Sequence, residues 1–109
     1  MNLPPIHDAL LTPPAIDALF GDLELLAEGL EIVVRSPGIR RGAPTNLTLV
    51  AARAALSAGT VAAMQLRYRF DGAEWCDTLT PTATGARLIR IDVSRALAQA
   101  QRDAQEEMP

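Results

Sequence analysis

The chain has 109 residues and a mass of 11.6 kDa, with 49% hydrophobic and 21% charged residues, so we expect one folded domain over residues 1–109. A formal net charge of −3 argues against nucleic acid or an anionic membrane as partner, because such binders carry a basic excess. One cysteine and one histidine exclude an internal disulfide and a multi-histidine metal site within one chain. No metal or other cofactor is therefore expected.

The first residues predict an N-terminal arm, residues 1–11, rather than a targeting segment. Prolines at positions 4 and 5 interrupt this stretch, and it has no basic cluster, so no signal peptide is expected. The most apolar window, residues 47–66, contains Arg53 and Gly59 and is too weakly apolar to span a bilayer. All ten basic residues are arginine and alanine is abundant, which is typical of a GC-rich bacterial genome. We expect a cytoplasmic bacterial protein.

The first predicted helix begins after Thr12, an acceptable N-cap that is followed by Pro13 at the first helical position. Its apolar residues recur at helical spacing, and Gly29 is the expected stop signal. Residues 31–35 follow as a short strand because they cluster β-branched side chains. The apolar positions of the helix are Ile16, Leu19, Phe20, Leu23, Leu26 and Leu30.

The second predicted helix begins after Thr45 or Asn46, runs to about Ser57 and ends at Gly59. Small and aliphatic residues occupy nearly all of its sides, so we expect it to be largely buried. A loop that carries Arg40 and Arg41 connects it to the preceding strand.

The clearest local signal is a β-hairpin around Asp71 and Gly72, the residue pair that most strongly favours a two-residue turn. This turn fixes the register, which pairs Phe70 with Ala73 and Tyr68 with Trp75. One face then carries Met64, Leu66, Tyr68, Trp75, Asp77 and Leu79, and the other carries Gln65, Arg67, Arg69, Glu74, Cys76 and Thr78.

A third strand of this meander covers residues 87–93, with Ile89, Ile91 and Val93 expected inward and Leu88, Arg90 and Asp92 outward. Ser94 is the expected cap of a C-terminal helix, residues 94–109, which we expect to fray at the surface. Its apolar stripe is thin and consists of Leu97, Ala100, Ala104 and Met108.

These elements predict an α+β fold with the order α-β-α-β-β-β-α. We expect a four-stranded, mostly antiparallel sheet with the helices packed on one face and the other face at least partly open.

The open sheet face is the first candidate site, because Arg67, Arg69 and Arg90 are expected to project from it together. Guanidinium groups on neighbouring strands suit an acidic protein partner or an anionic ligand. A solvated face with cross-strand pairs such as Arg69 and Glu74 explains the same pattern. The charge distribution adds a weak hint, since the chain carries −6 before Arg35 and +6 over residues 35–69.

The loop arginines Arg40 and Arg41 form a second candidate, because the expected helix N-terminus beside them favours anions. A solvated loop is the alternative interpretation.

Asp77 and Trp75 are further candidates, because the hairpin register places both on the apolar face. A carboxylate there must find a partner or bind a proton, so Asp77 is either an acid of altered pKa or a structural hydrogen-bonding group. Trp75 offers a flat surface to a ligand or packs with Tyr68. Cys76 has only His7 as a catalytic partner, so we expect it to be a packing residue.

The sequence favours a non-catalytic accessory domain that binds a protein partner, or a second copy as a homodimer, through the charged sheet face or a helix. Small size, one histidine and no catalytic motif support this hypothesis. The alternative is a domain that binds an anionic or flat metabolite, including a small isomerase-like or hydrolase-like enzyme that uses Asp77 as an acid.

Overall fold

A computed structural model describes residues 6–106, apart from the side chains at both ends of that range. Within these residues the chain forms six strands and three helices, so the α+β class is confirmed. In chain order the elements are β1 (Ile6–Leu11), α1 (Pro13–Leu26), β2 (Glu28–Arg35), β3 (Ala43–Thr45), α2 (Leu49–Ala58), β4 (Ala63–Phe70), β5 (Ala73–Thr82), β6 (Gly85–Asp92) and α3 (Val93–Glu106). The first part of the predicted arm and the last residues of the predicted C-terminal helix lie outside the described residues.

The sheet has six strands within the described residues, and not the four that the sequence predicted. All pairings are antiparallel, in the order β1-β6-β5-β4-β2-β3. One additional strand is β1, which comes from the expected arm and pairs along β6, and the other is the short β3, which pairs with β2. Both are edge strands whose partners are distant in sequence or lie across a loop, so no local turn signal reveals them.

The β4–β5 hairpin has the register that the Asp71-Gly72 turn predicts. Both turn residues have positive φ, 53° and 76°, as this tight turn requires. Phe70 lies opposite Ala73 and Tyr68 lies opposite Trp75. The hairpin prediction is therefore confirmed.

Helices α1 and α2 cover one face of the sheet, here called the core face. Its buried side chains come from four neighbouring strands, where Ile32 lies beside Leu66 and Leu79 lies beside Leu88. Each of these side chains is at most 5% exposed. The opposite or outer face carries the alternate residues, among them Gln65, Arg67, Cys76 and Ile91.

The orientation predicted for β6 is wrong. Leu88 and Ala86 are buried in the core, whereas Ile89 and Ile91 lie on the outer face and are only half-buried. Both sets contain aliphatic residues, so alternation alone does not distinguish them. Pairing with β5 decides the orientation, because it places Leu88 opposite the buried Leu79.

Helix α1 begins as predicted but ends earlier. The Thr12 side chain accepts a hydrogen bond from the Ala15 amide, and Pro13 is the first helical residue. The helix ends at Leu26, and Gly29 lies instead in β2, with φ +62°, where the pairing with β4 shifts register. Buried residues of α1 are Ile16, Phe20 and Leu23.

Helix α2 begins later and is less buried than predicted. Thr48 is its N-cap and accepts a hydrogen bond from the Ala51 amide, while Gly59 ends it in the left-handed conformation as expected. Only Ala52 and Leu56 are buried, and Val50 is 76% exposed. An alanine-rich composition therefore does not show whether a helix is buried or exposed.

Candidate functional site

A groove of about 800 Å³ lies on the outer face, between the sheet and the first turns of α3. We call it the outer groove. Its floor includes Cys76 and Ile91 from adjacent strands, and Val93, Ala96 and Leu97 of α3 form one wall. The other lining residues are Gly29, Glu31, Arg67, Tyr68, Arg69, Glu74 and Trp75.

Two side-chain hydrogen bonds fix the start of α3. Asp92 Oδ1 accepts from the Arg95 amide at 2.9 Å, and Ser94 Oγ accepts from the Glu74 amide at 3.1 Å. The capping role that the sequence assigned to Ser94 therefore belongs to Asp92, and Ser94 ties the helix to β5 instead. These contacts hold one wall of the groove in place.

Beyond its first turn, α3 has little contact with the rest of the domain. Leu97 is 58% exposed, and residues 98–105 are all exposed. The apolar stripe of Val93, Leu97, Ala100 and Ala104 begins at the groove wall and continues along the helix. This side of α3 is therefore not covered by another element of the described chain.

Arg67 and Arg69 line the groove from β4, and both are exposed, as the hairpin register predicted. Arg67 donates to Gln65 Oε1 at 2.9 Å. Among the side chains that the structure describes, no carboxylate lies within 4.0 Å of either guanidinium. Glu31 and Glu74 also line the groove, so its charge is balanced overall while its two arginines lack an ion-pair partner.

Arg90 is not part of this surface. It lies on the core face opposite Asp77, and its guanidinium donates to both carboxylate oxygens of Asp77 at 2.9 and 2.8 Å. The expectation that Arg90 projects beside Arg67 and Arg69 is wrong, because the orientation of β6 is reversed from the predicted one.

Asp77 is completely buried, and its carboxylate accepts hydrogen bonds from two neighbouring side chains. Besides Arg90, the Tyr68 hydroxyl donates to Asp77 Oδ2 at 3.0 Å. Burial raises the pKa of the Tyr68 phenol, and the nearby Asp77 carboxylate raises it further. Hydrogen bonding to Asp77 raises the pKa of the Arg90 guanidinium. This geometry matches the structural alternative for Asp77, since a substrate has no access to its carboxylate.

Trp75 lines the groove and also contacts the hydrophobic core. Its side chain packs against the hydrophobic core, and Nε1 donates to the Phe70 carbonyl oxygen at 3.3 Å. Trp75 is the only tryptophan of the chain, so its fluorescence reports on this region alone.

Cys76 and His7 are not brought together. Cys76 is a half-buried free thiol on the outer face, whereas His7 lies opposite Arg90 and so belongs to the core-face side of β1. The loop residues Arg40 and Arg41 are exposed and do not line this groove, and β3 lies between them and α2 in the sequence.

Within residues 6–106, no helix has the length and apolar character needed to cross a membrane. No family model, no curated protein and no solved structure matches the chain.

The sequence did not predict the outer groove. The apolar stripe of α3 was visible, but its position beside Cys76 and Ile91 depends on the facing of β6 and on the turn from β6 into α3. Asp92 at the strand end was the available signal, because an aspartate before a helical run is a strong N-cap.

Proposed function

We propose that this chain is a non-catalytic protein-interaction domain that binds its partner in the outer groove. The observation that carries the proposal is helix α3, whose apolar stripe begins at the groove wall and then extends with no covering layer in the described chain. Exposed apolar surface next to a groove is the usual property of a helix or peptide docking site.

The groove favours a partner of mixed character. Ile91, Val93 and Leu97 offer apolar contacts. Arg67 and Arg69, which have no ion pair among the described side chains, offer charge-assisted hydrogen bonds to carboxylates. Because Glu31 and Glu74 balance the charge, a purely acidic partner is less suitable than an amphipathic helix with a few acidic residues.

The test uses native mass spectrometry on complexes isolated gently from the organism that makes the protein. We expect a mass equal to a multiple of the chain, or to the chain plus another protein, and we expect Arg67→Glu with Arg69→Glu to abolish this complex. Both arginines are exposed, so the double variant retains its fold. Arg40→Glu with Arg41→Glu is the matched control and preserves the complex. A complex that tolerates the Arg67 and Arg69 changes would contradict the groove as its binding surface.

A second candidate is an anionic or flat small ligand in the same groove. The specific observation is its volume of about 800 Å³, which is within the range of small-molecule sites, together with two arginines and Trp75 in its lining. An acid role for Asp77 in such a site requires its salt bridge to open, because the carboxylate is fully buried. A native mass of the chain plus a few hundred daltons would favour this candidate and would overturn the protein partner.

A further inference from the structure

We infer that the occupant of the outer groove is helix α3 of a second copy of this chain. In the resulting two-fold dimer, each copy places the exposed part of its α3 in the groove of the other. This inference rests on the proposed function and names the partner that the same groove binds. Each copy supplies both the groove and the helix, so one arrangement covers the exposed apolar surface of both.

The apolar surfaces of the outer groove and of α3 match. The groove floor and wall offer Cys76, Ile91 and Leu97, and the stripe of α3 continues beyond the wall with Ala100 and Ala104. Alanine side chains let a helix approach a sheet or another helix closely. A partner helix seated along this stripe would contact the groove floor and Leu97 at the same time.

Charge favours the same arrangement. With about 3.6 residues per turn, Asp103 flanks the stripe residues Ala100 and Ala104, whereas Arg102 lies on the opposite side of α3. The Asp103 carboxylate therefore matches the arginines of the groove, Arg67 and Arg69, whose guanidiniums have no carboxylate within 4.0 Å among the described side chains. Asp103 is exposed, and its hydrogen bond among the described residues comes from Gln99 on its own helix, at 3.0 Å.

Helix α3 also needs a packing partner for its stability. It has 14 residues and is therefore about 21 Å long, and isolated helices of this length are marginal in water. Packing of an apolar side normally supplies the missing stability. Among the side chains of α3 that the structure describes, those of the first turn have such packing, through Val93 and Ala96, which are half-buried, whereas residues 97–105 are exposed.

A reciprocal contact also doubles the area that a single helix and groove can bury. Stable interfaces commonly bury about 1,600 Å² in total. A two-fold dimer contains the contact between helix and groove twice, so each contact has to bury only about half of that area. A single short helix from an unrelated protein would supply the contact only once.

The experiment measures self-association of the purified full-length chain by sedimentation velocity, with a charge exchange between two variants. Variant one carries Arg67→Glu and Arg69→Glu, and variant two carries Asp103→Arg. We expect the wild type to dimerise at micromolar concentration and each variant alone to dissociate at least about tenfold more readily. Mixed together, the two variants form a heterodimer, because each groove then faces a helix of opposite charge.

Leucine substitutions give the matched control. Leu97→Asp raises the dimer dissociation constant at least about tenfold, because it places a charge in the contact. Leu25 on α1 is also exposed, at 84%, and Leu25→Asp leaves dimerisation unchanged. Circular dichroism verifies that all variants are folded.

The outcomes separate this inference from the proposed function. A monomeric wild type overturns the self-association, and a host complex with another protein that still requires Arg67 and Arg69 then leaves the interaction function standing. A dimer that ignores all of these substitutions places the dimer interface elsewhere and overturns this inference, and the proposed function is then decided by whether the host complex requires Arg67 and Arg69. If the two charge variants do not form a heterodimer, α3 does not bind beside Arg67 and Arg69 of the second copy, and the inference is overturned.

Discussion

At the scale of single residues, Asp77 is a fully buried carboxylate that forms a polar triad with Tyr68 and Arg90. A carboxylate with no exposed surface is tolerated because both of its oxygens accept hydrogen bonds, two from Arg90 and one from Tyr68. Such a group contributes little net stability while it is paired, but its partners become costly when it is removed.

We predict that Asp77→Ala lowers the free energy of unfolding by about 3 kcal/mol, because it leaves the Arg90 guanidinium and the Tyr68 hydroxyl without their acceptor. Urea unfolding followed by Trp75 fluorescence measures this change. Replacing the triad together, with Tyr68→Phe, Asp77→Leu and Arg90→Met, restores stability to within about 1 kcal/mol of the wild type. An Asp77→Ala midpoint equal to that of the wild type would show that the triad is not desolvated.

Tyr68 gives a pH prediction, since it is the only tyrosine of the chain. Its pKa in the folded state lies above the ordinary value of 10, so the folded state retains the proton where the unfolded state loses it. The stabilising contribution is complete below pH 10 and falls as pH rises above it. We expect no phenolate absorbance near pH 10 while the protein is folded, and we expect ionisation to accompany alkaline unfolding. Reversible ionisation near pH 10 with an intact circular dichroism spectrum would contradict the burial of Tyr68.

At the scale of elements, strand β1 is attached to the sheet by its pairing with β6 and by one exposed ion pair. Arg87 donates to both carboxylate oxygens of Asp8 on the outer face, at 3.1 and 2.5 Å, and this bonding lowers the pKa of Asp8. Where β1 meets α1, the chain passes very close to Gly85. A Cβ atom at Gly85 would lie 1.9 Å from the carbonyl oxygen of Leu11.

We predict that Gly85→Ala destabilises the protein by about 2 kcal/mol or more, because the backbone of β1 has to move away from β6. Hydrogen exchange should then be faster for the amides of β1 than for those of β4. Gly21→Ala is the matched control, since a Cβ atom there meets nothing within 4 Å and the site lies within α1. It stabilises the helix by about 0.5 to 1 kcal/mol. Equal stability of the two variants would mean that β1 and β6 separate without cost.

At the scale of the whole molecule, the two charge blocks of the sequence become neighbours in the fold. Arg53 of α2 bonds Asp17 of α1 at 2.6 Å, and β2 places Glu31 opposite Arg67 of β4. The acidic first third therefore lies against the arginine-rich part within one copy. The charge distribution by itself is not evidence for a partner. Arg67 and Arg69 matter because, within the part of the chain that the structure describes, neither forms an ion pair.

We predict that the proposed dimer weakens, without dissociating completely, when the ionic strength rises from about 0.05 M to about 1 M, where the screening length falls from more than 10 Å to about 3 Å. The arginine contacts are exposed and thus screened, whereas the apolar contacts of Leu97 and Ile91 are not. Sedimentation velocity at both salt concentrations measures the change, with Leu97→Asp as the variant that lacks the apolar part. Dissociation that is independent of salt would contradict ion pairing at Arg67 and Arg69.

The sequence by itself determined the features that adjacent residues control. Thr12 with Pro13 starts α1, Gly59 ends α2, and Asp71 with Gly72 sets the hairpin, because capping and turn geometry depend on a few neighbouring residues. That register also placed Arg67 and Arg69 correctly on an exposed face.

Only the tertiary structure decided which side of β6 faces the core, that residues 6–11 add a strand, and that α3 starts beside the outer groove. Residues 6–11 pair with a strand that is distant in the sequence. Strand β6 carries aliphatic residues on both of its sides, so its own sequence does not determine which side faces the core. Local propensity is nearly balanced there, and the pairing of Leu88 with Leu79, which buries both, selects one arrangement.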